Sequence, residues 1–133
     1  MATRNEFALP DMHIDAIEPD GDNLTLMLAQ FCVYVSLGGS AQQSKWRQSG
    51  TLVFEHAAVE GVLPDGPCTV ASGEIHDNRF IYRDRVPLPL DARGEVGCVL
   101  TLAGRASPIT ISAQRIRLVE QGQRRYLEHV ADQ

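Results

Sequence analysis

Several features that commonly betray a function are scarce in this sequence. No apolar run reaches the roughly 20 residues that a bilayer-spanning helix needs; the longest is residues 24–37. The opening residues, MATRNEFALPDMH, contain no apolar stretch of about 7–15 residues such as a secretion signal carries, so the expected location is cytoplasmic and no membrane partner is expected. Cys32, Cys68 and Cys98 are odd in number, widely spaced and without a C-x-x-C pair. That spacing argues against a disulfide framework and for reduced, mostly buried thiols. Positive charge is also short, at a net −5, whereas a protein that neutralises many phosphates shows a basic face and a basic total. Nucleic acid is therefore not an expected partner.

The motifs of common enzymes are missing as well. No serine sits in a G-x-S-x-G elbow, and neither G-x-x-x-x-G-K-S/T nor G-x-G-x-x-G occurs. Cys32 and Cys98 lie inside apolar stretches, where burial makes a thiol inert. Cys68 follows Gly66 and Pro67 at a strand start, with no histidine near it in sequence. No cofactor is expected. There is no internal repeat and no linker, and no window shows a convincing helical period, although 41–49 and 120–130 are the stretches nearest to one.

What is present reads as β-structure. At 133 residues, 44% hydrophobic and 22% charged, the chain is that of an ordinary globular domain able to bury a core without staples. Residues 1–10 carry no periodicity and are expected to form an N-terminal arm; residues 11–133 are expected to form a single β domain. Residues 11–18 alternate, with Met12, Ile14 and Ala16 on one side. A Pro-Asp-Gly-Asp-Asn turn at 19–23 then leads into 24–37, LTLMLAQFCVYVSL. Along that stretch the apolar set shifts from Leu24, Leu26 and Leu28 to Phe31, Val33 and Val35. Strand side chains alternate faces, so one extra residue near Ala29 and Gln30 is needed to keep a continuous core face, and it bends the strand.

Residues 38–44, GGSAQQS, read as a flexible loop, and 46–58 as a strand with Leu52, Phe54 and His56 on one face. Residues 61–67 form a turn cluster. Strands at 68–75 and 79–86 meet in a hairpin at His76, Asp77 and Asn78. The two prolines in 86–90 restrict that segment to an edge or crossover. Residues 97–103 and 108–119 form a further hairpin, whose second arm slips phase between Ala113 and Ile116. A last hairpin is expected at 121–123, leading to 124–130. About eight strands in mostly meander hairpins imply an all-β fold, an antiparallel sandwich or a closed or partly closed barrel.

Three sets of side chains have chemistry to offer. Asp11, His13 and Asp15 alternate along one strand face, an arrangement that suits a divalent metal or a solvated surface. Arg115, Arg117 and Arg124 offer guanidinium forks for an anion. The structural alternatives are a charged guard on a sheet edge, or pairing with the acidic first half. Residues 1–66 hold nine acids against three bases, net −6, and residues 67–133 hold eight acids against nine arginines, net +1. Trp46, behind the polar loop, and Phe80 with Tyr82 on one strand face suit a small ligand, or core packing. Three functions stay open: a non-catalytic assembly module, partnered by itself or another protein; a small-ligand-binding barrel with Trp46 at its mouth; and a metal-binding protein or metal-dependent enzyme.

Overall fold

The computed structural model describes residues 3–37 and 42–131. It contains ten strands: β1 (Thr3–Ala8), β2 (His13–Asp20), β3 (Asn23–Leu37), β4 (Gln42–Glu55), β5 (Ala58–Glu60), β6 (Cys68–Asp77), β7 (Phe80–Arg83), β8 (Arg85–Pro87), β9 (Asp91–Leu102) and β10 (Ile109–Ala131). All pairings are antiparallel and belong to one sheet. Six strands close a hydrogen-bonded ring in the order β2-β6-β9-β10-β4-β3, with β3 returning to β2. The ring is uneven. Its β4–β10 side runs the length of β4, while β2 meets β6 only at His13–Thr69 and Ile14–Cys68. Two backbone bonds, from Asp11 N–H to Val70 O and from Val70 N–H to Met12 O, lengthen that seam.

The bend expected in the first long strand is present. Leu28 faces Gly50 and Phe31 faces Gln48, so β3 carries one residue more than β4 across Ala29–Gln30. The extra residue lets Leu24, Leu26, Leu28, Phe31 and Val33 all enter the core. Beyond the bulge, β3 leaves β2 and pairs instead with β1.

β1 corrects the reading of residues 1–10 as an arm. Residues 3–8 join the sheet between β3 and β8, and Phe7, Ala8 and Leu9 are buried in succession. Alternation is lost there because the chain passes from a strand face into a turn, so consecutive side chains point inward. The Phe7 and Phe31 rings meet edge to face at 6.0 Å. The proline-marked segment does lie at an edge, since among the described residues β8 pairs only with β1.

The phase slip in β10 also marks an irregularity, but the additional residue sits across the ladder. Between Ala113 and Arg115 the partner positions run from Val96 to Arg93, which places it in β9, where Gly94 has φ 114°. Asn78, at φ 57° in the two-residue turn between β6 and β7, fastens this bulge. Its backbone N–H donates to Glu95 O, its Nδ2 donates to Arg93 O at 2.9 Å, and its Oδ1 accepts from Glu95 N at 3.0 Å.

The last hairpin is not formed. β10 continues through Gln121–Gln123 and stays paired with β4 to Ala131, with register shifts at 121–125 and 126–128. Gly122, at φ 76°, lets the strand bow outward rather than reverse. Gln48 fills the space beneath: its Nε2 donates to Gly122 O and Glu120 Oε1, both at 3.3 Å, and its Oε1 accepts from Ser49 N. Residues 42–49 are likewise strand. Most of the expected 38–44 loop, residues 38–41, lies outside the described residues.

Candidate interaction surface

The candidate metal face does not assemble. Asp11 precedes β2 in a turn at φ 65°, so the strand face begins at His13, and β2 is out of register with β3 around Ile14. His13 Nδ1 lies 3.0 Å from Thr69 Oγ1 across the ring seam. Among the described residues, no three His, Cys, Asp or Glu side chains are grouped so as to hold a metal ion. The other histidines have separate settings: His76 Nε2 is 3.2 Å from Glu74, and His56, expected on a core face, closes β4 at φ 54° with an exposed side chain.

The arginines are engaged by carboxylates. Arg115 grips Asp91 through two bonds of 2.9 Å and donates a third to Glu55 at 3.2 Å. Those bonds hold the Asp91 carboxyl below its usual range and push Arg115 up. Arg117 Nε, buried and without a hydrogen-bond partner, approaches the same Glu55 at 3.8 Å. Arg124 forks onto Glu120, four residues earlier on its own strand, at 2.9 and 3.2 Å. The forks of Arg115 and Arg124 are thus occupied by carboxylates.

The aromatics fall into two separate pairs. Phe80 and Tyr82 stack on β7 with centroids 6.3 Å apart, Phe80 outward and Tyr82 against the core. Trp46 lies in a strand, as expected, but well inside it: it sits between Val33 and Tyr126, donates Nε1 to Ser44 Oγ at 2.8 Å, and meets Tyr126 edge to face at 5.3 Å. Five depressions among the described residues are lined by side chains other than Trp46, Phe80 and Tyr82. The one at the ring seam, about 370 Å³, is lined by His13, Asp15, Gln30 and Cys68 among others.

The feature with the most open valence is the outer side of β10. β9 accompanies β10 only to Arg117, and a final bond runs from Leu118 N to Leu90 O. Among the described residues, no strand pairs with that side over 119–131. A bare strand edge presents unpaired N–H and C=O groups to any strand that comes alongside. Its first half is guarded by the bulge at 121–125 and the Glu120–Arg124 fork. Its second half carries one further register shift, at Leu127 between the Tyr126–Trp46 and Glu128–Lys45 pairs, and there Tyr126 is 55% and Leu127 38% exposed, although both are large and apolar.

Cross-strand neighbours share a face. Arg125 opposes Arg47 and Glu128 opposes Lys45, two residues apart on β4, so Arg125 and Glu128 project from one face while Tyr126, opposite Trp46, occupies the other. The sequence hid this surface because Gly122 was read as the centre of a hairpin. Its flanking glutamines were the available signal, since a tight hairpin favours Asn-Gly or Asp-Gly.

Among the described residues no helix is long and apolar enough to cross a membrane. Comparison with protein-family models, with curated proteins and with solved structures found no match.

Proposed function

We propose that this protein is a non-catalytic interaction and assembly module that works through the free edge of β10. The observation carrying this reading is a strand that, among the described residues, has no partner on its outer side over 119–131 and exposes Tyr126 and Leu127 there. Strand addition at such an edge supplies main-chain bonds, and the side chains beside it supply selectivity. The engaged arginines and the dispersed histidines fit this reading better than an anion or metal site. Cys32, Cys68 and Cys98 are all free thiols, which suits the reducing cytoplasm.

The test is native mass spectrometry of the full chain purified without chelators or affinity metals. A dimer, a larger species or a stoichiometric protein complex, without a small adduct, is the expected spectrum. A monomer carrying one small molecule or metal ion per chain would overturn the reading.

A further inference from the structure

We infer that the occupant of the β10 edge is a second copy of this chain, paired antiparallel in the register that sets Arg125 of each copy opposite Glu128 of the other. The inference rests on the assembly reading above and names its partner. Antiparallel pairing about a two-fold axis leaves one variable, the register. Charge selects it. Arg125 and Glu128 are exposed, project from the same face and form no ion pair or hydrogen bond within the described residues. Arg124 is a weaker candidate, because its fork already holds Glu120 at 2.9 Å.

Setting Arg125 against Glu128 places the axis between Tyr126 and Leu127. The axis falls at the register shift where β10 carries one residue more than β4, the surplus that lets Arg125 and Glu128 share a face, and each copy's Tyr126 and Leu127, the most exposed large apolar side chains of β10, come together across it. Both charge pairs form at once, by symmetry. The bulge at 121–125 and the Glu120–Arg124 fork end the match on one side, which keeps the contact short and stops further strands from adding. The resulting dimer is reversible, and salt weakens it because its charges face solvent.

The test is sedimentation of the full chain as wild type, R125E, E128R, the double variant R125E/E128R, and an equimolar mixture of the two single variants. Each single variant turns both symmetric pairs from attraction to repulsion, so its self-association falls roughly 30-fold. The double variant regains dimerisation, because the exchanged charges again oppose each other. The mixture gives a heterodimer: one chain supplies two acids and the other two arginines. Unchanged urea midpoints show that the variants fold.

If both single variants dimerise as well as wild type, self-association stands and the β10 register is overturned. Failure of the double variant and of the mixture to recover also overturns it. A wild type that stays monomeric at all concentrations overturns self-pairing, and the broader interaction reading then stands or falls on the mass-spectrometric complex.

Discussion

Gly97 to alanine is the most direct probe of how tightly the ring is closed. Gly97 lies in β9 with a strand on either side, opposite Ser112 of β10 and His76 of β6. A Cβ there would run into the carbonyl oxygen of Ile111, with Ile111 C and Ser112 Cα each at 3.2 Å. All three atoms are backbone, so no rotamer change relieves the collision and β10 must move away from β9. Loosening about two ladder bonds costs about 1 kcal/mol each, and displacing the packed Cys98 and Ile111 costs about 1 kcal/mol more. Alanine returns about 0.4–1 kcal/mol by restricting the unfolded chain. The net loss is about 2–3 kcal/mol. With a urea dependence of about 1–3 kcal/mol per molar for a small protein, the unfolding midpoint falls by about 1 M or more. Gly66 is the control, since a Cβ there meets nothing within 4 Å and its φ is ordinary; Gly66→Ala leaves the midpoint unchanged or slightly raised. If Gly97→Ala behaves like Gly66→Ala, the close approach of β9 and β10 is wrong.

Two further outcomes follow from the titratable groups. Cys98 is buried and its thiol is pushed up to about 12 by desolvation, so in native protein at mildly alkaline pH it resists iodoacetamide and reacts once urea unfolds the chain; prompt native labelling would count against its placement in the core. Asp91 is held below its ordinary value of 3.8 chiefly by the hydrogen bonds from Arg115. A lowered folded value stabilises the fold above the ordinary carboxylate range, and that stabilisation is lost as pH falls through the folded value. Asp91→Asn is therefore less stable than wild type at neutral pH, and the gap closes in acid. A gap that stays constant across an unfolding series in pH would refute the Asp91–Arg115 assignment.

The parts of the fold that were legible in the sequence are those in which a strand's own side chains report its geometry. The bend at Ala29–Gln30 could be read because identical aliphatic side chains switch parity on either side of it. The proline-rich edge could be read because a residue without an N–H cannot sit inside a ladder. Phe7, Ala8 and Leu9 were illegible because their burial comes from β3 and β8, which are distant in sequence. The bulges of β10 and β9 required counting residues on both partners of a ladder, and only pairing reveals which strand holds the surplus. The same counting decides that Arg125 and Glu128 share a face although they are three residues apart. Pairing of the arginines with acids was one of the expected alternatives, but the partners could not be read: Asp91 and Glu55 are remote from Arg115 in sequence and adjacent to it in the sheet, whereas Glu120 lies four residues from Arg124 on the same strand.

The position of β10 in the ring has a consequence for the order in which the molecule can be made. β10 is the strand that joins β4 to β9, and it follows all the other described strands in chain order. Without residues 109–131, β2, β3 and β4 remain one curved sheet and β6, β7 and β9 another, joined by the short β2–β6 seam and through β1, which pairs with β3 and β8. Until β10 is in place their apolar faces stay open to solvent and to other chains, the interval in which aggregation competes with folding. The final strand therefore acts as a keystone: a chain cut short before it keeps most of its strands and loses the enclosure that gives them a common interior.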